Sequence, residues 1–70
     1  MEGHKKKFAS LTPREKQIVV AIVDGKATNL IAEQLGVSVQ TVRTHVQNTF
    51  RKLAMHSRLE LVAAWHRARP

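Results

Sequence analysis

The segment from Val37 to Leu53, VSVQTVRTHVQNTFRKL, holds the side chains best suited to binding chemistry in this chain of 70 residues. It contains two arginines, a lysine and a histidine, and it has no carboxylate. Apolar residues recur at the spacing of an amphipathic helix, at Val42, Val46, Phe50 and Leu53. The opposite edge offers hydroxyls, amides and cations, which together suit an anionic partner that forms hydrogen bonds.

The charge distribution favours the same kind of partner. The formal net charge is +7 and the isoelectric point is near 11.0. No acidic residue lies between Glu33 and Glu60, whereas this interval contains the cations Arg43, Arg51, Lys52 and Arg58. A stretch of one sign produces a positive field that attracts polyanions such as nucleic acids.

Several other function classes are disfavoured by the composition. The chain has no cysteine, and its histidines, at positions 4, 45, 56 and 66, lack the paired spacing of metal ligands. No nucleophile–base pair and no phosphate-cradling glycine loop is present, so we expect neither an enzyme nor a cofactor or small-molecule site. No apolar run approaches the ~20 residues that cross a bilayer, and no secretion signal is visible, so we expect a cytoplasmic protein without membrane contact.

Capping signals predict an all-α fold of four helices, at about residues 13–24, 28–35, 38–53 and 57–68. Thr12 and Glu15 form a capping box at the start of the first helix, and Ser57 and Glu60 form another at the start of the fourth. Residues 1–10 contain a run of lysines without periodicity. We interpret them as a flexible basic arm or linker that precedes a domain over residues 11–70.

The second and third helices predict a helix-turn-helix. Only Gly36, Val37 and Ser38 separate them, and Ser38 is a suitable N-cap for the longer helix. Ala32 allows the two helices to cross closely, while Val42 fills the angle between them. An α-helix of this kind fits the major groove of B-DNA.

Projection of the third helix divides its outward residues by chemistry. Arginine and glutamine can read base edges through paired hydrogen bonds, whereas hydroxyls and further cations suit phosphate oxygens. We therefore predict base contacts by Gln40, Arg43, Thr44 and Gln47. The predicted phosphate contacts are Ser38, Thr41, Asn48, Arg51 and Lys52. His45 lies beside the apolar edge, and we expect it to pack there.

The fourth helix has two apolar sides. One side, with Leu61, Ala64, Trp65 and Ala68, can cover a thin core. The other side carries Leu59, Val62, Ala63 and His66 and needs a partner or stays in water.

The stretches LTPRE, IAEQLGVSVQTVRTHVQNTFRKL and SRLELV, in this order, make residues 11–67 resemble the LuxR/FixJ/NarL-type DNA-binding domain of bacterial transcription regulators. The resemblance implies a four-helix domain whose third helix reads double-stranded DNA. By position it implies recognition by Arg43, Thr44 and Gln47, with Gln40 in some members. The family often has lysine where Arg43 stands and asparagine where Thr28 stands, and Thr28 joins the phosphate candidates.

The same resemblance implies further contacts. It implies an ion pair between Glu15 and Arg58 that joins the first helix to the last. It also implies a homodimer on DNA through the otherwise unexplained side of helix four, formed by Leu59, Val62, Ala63 and His66. Such domains commonly follow a phosphorylated receiver or a ligand-sensing domain, so the chain resembles the effector part of a response regulator or ligand sensor.

A second hypothesis stays open beside DNA binding. The unpartnered side of helix four could dock onto another polypeptide, onto another domain of a parent protein, or onto RNA polymerase. The chain would then be a protein-interaction module in which DNA binding is incidental.

Overall fold

The computed structural model describes residues 7–68, and the fold within this range is entirely helical. The four helices are α1 (Pro13–Val23), α2 (Thr28–Leu35), α3 (Val39–Leu53) and α4 (Arg58–Ala68), and residues 7–9 add a short helical turn before them. The predicted all-α fold with a helix-turn-helix is confirmed, and each helix end lies within one residue of its predicted position. Residues 1–6 of the predicted arm, and residues 69–70, lie outside the described residues.

Side-chain caps explain where three of the helices begin. At α1, Thr12 Oγ1 accepts a hydrogen bond from the Glu15 backbone N–H at 3.1 Å, and Glu15 Oε1 accepts one from the Thr12 N–H at 2.9 Å. At α3, Ser38 Oγ accepts from the Thr41 N–H at 3.0 Å. At α4, Ser57 Oγ accepts from the Glu60 N–H at 3.1 Å. Each cap satisfies a backbone donor that has no partner inside its helix.

The turn between α2 and α3 has the geometry that its glycine predicts. Gly36 adopts a left-handed conformation with φ of 70°, and the Val37 N–H closes the turn on the Ala32 carbonyl at 3.0 Å. Ala32 and Val42 are buried on either side of this turn. The turn therefore fixes the angle at which α3 leaves α2.

The core lies where α1 meets α3 and α4, and α2 closes it on the α3 side. Its largest fully buried side chains are Ile18, Ile31, Leu53, Leu61, Val19, Val42 and Thr49. Thr49 is tolerated there because its hydroxyl donates a hydrogen bond to the His45 carbonyl at 2.7 Å.

The start of the described chain belongs to this core, which differs from the prediction of a flexible arm through residue 10. Phe8 is only 7% exposed, and its ring meets the Trp65 ring edge-on with centroids 5.2 Å apart. Lys7 Nζ donates a hydrogen bond to the Leu53 carbonyl at 3.3 Å. A small domain has little apolar surface to bury, so Phe8 and Leu11 add substantially to its core.

The two sides of α4 have different environments, as its sequence predicts. Leu61 and Ala64 are buried against the core. On the other side Leu59 is 79% exposed, His66 is exposed, and Val62 and Ala63 are half-buried. None of these four residues belongs to the hydrophobic core of the described chain or packs against it.

Candidate nucleic-acid interface

The outward face of α3 presents every residue predicted to read bases. Gln40, Arg43, Thr44 and Gln47 are all exposed. The buried Val42, Thr49 and Leu53 fix the rotation of α3 about its axis, so this polar face points away from the core. A convex helix with two amides, a hydroxyl and a guanidinium on one side has the donors and acceptors that base edges require.

The predicted phosphate contacts on α3 are distributed around this face. Ser38 and Thr41 are exposed at the leading end, where their hydroxyl oxygens lie 2.9 Å apart in a hydrogen bond. Towards the other end, Arg51 Nη1 donates to Asn48 Oδ1 at 3.4 Å. This contact holds the exposed Arg51 guanidinium beside the half-buried Asn48, and the other N–H groups of the guanidinium stay available to an anion.

Lys52, also predicted to contact a phosphate, makes an ion pair within the domain. Its ammonium lies 2.9 Å from Oε1 of Glu15 and donates a hydrogen bond to it. The ion pair expected between Glu15 and Arg58 is therefore wrong, and Lys52 takes the place of Arg58. The pair lies at the edge of the fold, because the carboxylate of Glu15 is buried and the lysine side chain is half exposed.

Two groups hold Glu15 in its ionised form. The Thr12 N–H and the Lys52 ammonium both donate to its carboxylate, and they lower the pKa of Glu15 although burial acts in the opposite direction. The sequence signal for the capping box was local and clear. The signal for Lys52 was hidden, because its partner lies far away in the chain and no short spacing links the two.

Arg58 lies on the same side of the molecule as the predicted reading residues. It is exposed, whereas the resemblance had implied an ion pair with Glu15, whose carboxylate is buried. Together with Thr28, Arg43, Val46 and Gln47, it lines a cleft of about 220 Å³ between α2, α3 and α4. Thr28, a predicted phosphate contact, is half-buried at the start of α2 in this cleft.

A second and more apolar groove, of about 510 Å³, follows α3 beyond this cleft. Gln47 lines both depressions, and Phe50 and Met55 supply apolar surface to the second one. The flank of α3 that carries Arg43 is therefore concave.

Two negative findings apply to residues 7–68. This part of the chain contains no group of three or more histidine, aspartate or glutamate side chains close enough to bind a metal ion. None of its helices has the length and apolar character that crossing a membrane requires.

Comparison with known proteins identifies the family. Residues 9–64 match the model of the family described as bacterial regulatory proteins, luxR family. The chain belongs to this family. This luxR-family domain is thus a DNA-binding domain of transcriptional regulators, as the helix-turn-helix and the exposed polar face of α3 suggested.

Three relatives illustrate the range of proteins that the luxR-family domain resembles. It is 44% identical over 55 residues to the monoamine regulon transcriptional regulator of Klebsiella aerogenes, covering 79% of this chain and 24% of that protein. It is 38% identical over 58 residues to the transcriptional regulatory protein LiaR of Bacillus subtilis, covering 83% and 28%. It is 44% identical over 54 residues to the response regulator UvrY of Escherichia coli K12, covering 77% and 25%. The luxR-family domain spans about a quarter of the length of these relatives.

Proposed function

We propose that this domain binds specific sequences in double-stranded DNA by inserting α3 into the major groove. The observation that carries the proposal is the exposure of Gln40, Arg43, Thr44 and Gln47 on one face of a helix whose other face is locked into the core. A helix reads bases only when its polar face is both accessible and fixed in orientation. As a regulator of bacterial transcription, the domain would act in the cytoplasm.

The residues of α3 fall into two groups, those that attract the DNA backbone and those that select the base sequence. Arg43 suits the paired acceptors of guanine, and Gln40 and Gln47 suit adenine. Ser38, Thr41, Asn48 and Arg51 lie around this reading face and suit phosphate oxygens. Neutralising phosphates releases counterions, so affinity should fall steeply as salt concentration rises.

We infer that the domain binds DNA as a homodimer through the uncovered side of α4. Leu59 is 79% exposed there, and Val62, Ala63 and His66 extend the same surface. An apolar side chain so exposed favours burial against a second surface. Two copies on two half-sites would place two α3 helices on the DNA and double the total number of contacts.

The relatives support a further proposal about the whole protein. LiaR and UvrY are a transcriptional regulatory protein and a response regulator, and the present chain matches about a quarter of each. We propose that the domain works as the effector part of such a regulator, linked to a receiver or ligand-sensing domain. RNA polymerase would then be a second partner.

The exposed side of α4 also favours the alternative of a protein-docking module. In that alternative Leu59 and its neighbours bind another polypeptide, and the basic charge attracts DNA regardless of its sequence. Only the DNA-reading function requires the α3 face to distinguish one DNA sequence from another.

Selection of bound duplexes from a random pool, followed by titration at several salt concentrations, separates these functions. A DNA reader should enrich a defined motif and bind it several hundredfold or more above random duplex, since specific binding usually exceeds non-specific binding by about 10³ or more. A protein-docking module should enrich no motif, and its weak binding should be the same on every duplex.

A further inference from the structure

We propose that Arg58, at the start of α4, binds a DNA phosphate on the flank of α3 that carries Arg43. The inference rests on the proposed function and extends the contact surface beyond the helix-turn-helix. It assigns a ligand to a residue that the sequence interpretation had placed in a structural ion pair.

The first support is geometric. Three helices meet at the cleft of about 220 Å³, to which α3 contributes Arg43 and Gln47, α4 contributes Arg58, and α2 contributes Thr28. Arg43 and Gln47 are predicted to reach bases. Arg58 therefore lines the same cleft as two reading residues although it belongs to another helix.

The second support is the charge balance around the cleft. Two arginines line it, and its lining includes no acidic residue. Within residues 7–68 no aspartate or glutamate lies within ion-pair distance of Arg43 or Arg58. Like charges held close to each other without a counter-charge favour the binding of an anion.

The two carboxylates that could have neutralised Arg58 are engaged elsewhere. Glu15 is held by Lys52 at 2.9 Å. Glu60, in the first turn of α4, accepts the backbone N–H of His56 at 2.7 Å. The guanidinium of Arg58 therefore has no ion-pair partner among residues 7–68.

The start of α2 adds hydrogen-bond donors to the same place. Ala27 is the N-cap of α2 and provides no side-chain cap, so the first backbone N–H groups of the helix have no such acceptor. Thr28 lines the cleft at this helix end. Backbone N–H groups at a helix start and the Arg58 guanidinium together match the oxygens of a phosphate group, while Arg43 stays available to a base.

A phosphate fits this position better than a base edge does. Arg43 lies at the margin of the outward face of α3, and Arg58 lies on a neighbouring helix beyond that margin. When a helix occupies the major groove, its flanks face the sugar–phosphate backbones while its centre faces the bases. Arg58 should thus strengthen binding without selecting sequence.

The test compares Arg58→Gln, Arg58→Lys and the control Arg67→Gln on the selected duplex and on random duplex. Arg67 is an exposed arginine near the other end of α4, so its loss removes the same charge away from the cleft. Dissociation constants are measured by fluorescence anisotropy over a range of salt concentrations, and thermal unfolding is recorded for each variant.

We expect Arg58→Gln to weaken binding several-fold and equally on both duplexes. The slope of log affinity against log salt should become shallower by about 0.9, the value for one phosphate contact on B-DNA. Arg58→Lys should retain most of this slope, and Arg67→Gln should leave it unchanged. The unfolding temperature should stay the same in all three variants, because both arginines are exposed.

Three results would overturn the inference. An unchanged affinity and salt slope for Arg58→Gln would show that Arg58 makes no phosphate contact. A loss confined to the selected duplex would make Arg58 a base reader instead. A lowered unfolding temperature would indicate a structural ion pair. If the wild-type protein did not bind duplex DNA at low salt, the proposed function itself would be overturned, and the inference about Arg58 with it.

Discussion

The ammonium of Lys52 lies 2.9 Å from the buried carboxylate of Glu15 and ties the last turn of α3 to the first turn of α1. The same carboxylate oxygen also accepts the Thr12 N–H at 2.9 Å. One acidic group thus stabilises the start of α1 and holds the end of α3, the helix proposed to read bases. The stability of the fold and the orientation of α3 are linked through this contact.

The first prediction separates the observed partner of Glu15 from the one expected from the sequence. Lys52→Met should lower the free energy of unfolding by about 1 kcal/mol, since the pair is half exposed on the lysine side and leaves a buried carboxylate short of a donor. Arg58→Met, a matched loss of one cation, should leave it unchanged. Urea denaturation of both variants measures the difference. Equal losses would mean that Arg58 also pairs with Glu15 in solution.

The second prediction concerns how the free energy of unfolding changes at acid pH. The Thr12 N–H and Lys52 lower the pKa of Glu15 in the folded state, so its contribution is fully present above the unfolded-state pKa of about 4.3. That contribution is lost as the pH falls through the lower folded-state pKa. The stability advantage of the wild type over Glu15→Gln should therefore shrink between pH 5 and the acid end of the titration.

Chemical denaturation at several pH values measures this advantage. Glu33→Gln, a change at an exposed carboxylate, is the matched control. If the gap between wild type and Glu15→Gln stayed constant down to the acid end, the ionised carboxylate would contribute nothing to stability.

The third prediction tests whether the chain around residue 8 belongs to the domain. Phe8→Ala should lower the free energy of unfolding by about 3 kcal/mol, because it removes a buried aromatic ring and its edge-on contact with Trp65. Phe8→Leu should recover more than half of this loss. Thermal unfolding followed by circular dichroism gives both values. A flexible arm would make the alanine variant as stable as the wild type.

The fourth prediction concerns base reading by Arg43. Arg43→Ala should cost about 1–3 kcal/mol on the selected duplex and relax one base preference. The exposed position of Arg43 implies that the fold survives the change. Competition binding against single-base variants of the site measures the preference. An equal loss on selected and random duplex would make Arg43 a phosphate contact.

The fifth prediction concerns the proposed dimer. Leu59→Glu places a charge on the uncovered side of α4 and should reduce binding to a duplex with two half-sites, while binding to one half-site stays unchanged. Leu59→Met is the control, since it keeps the apolar contact. Mobility-shift titrations on the two duplexes provide the comparison. Undiminished cooperativity in Leu59→Glu would exclude this surface.

The sequence predicted those features that depend on neighbours in the chain. Thr12, Ser38 and Ser57 cap their helices as their positions indicated, because a cap and its N–H partner are only three residues apart. Gly36 ends α2 for the same local reason. Helical periodicity also predicted the exposure of the polar face of α3.

Contacts between distant residues were not predictable in the same way. Lys52 and Arg58 are both cations far from Glu15 in the sequence. No spacing rule indicates which of them pairs with its carboxylate. Phe8 follows a run of lysines whose charge suggested an unstructured arm, and only the three-dimensional position of Trp65 accounts for its burial. In both contacts the two partners are far apart in the sequence, so the local pattern around one residue does not identify the other.

The contact between Phe8 and Trp65 also provides an optical signal. Trp65 is the single tryptophan of the chain, and Phe8, Ala9 and Lys16 share a shallow depression with it. Indole emission should shift to longer wavelength when the first described turn detaches and water reaches the ring. The domain therefore contains its own fluorescent reporter of how firmly its leading segment is docked. The described contacts of this reporter are with residues outside the face of α3 that is proposed to bind DNA.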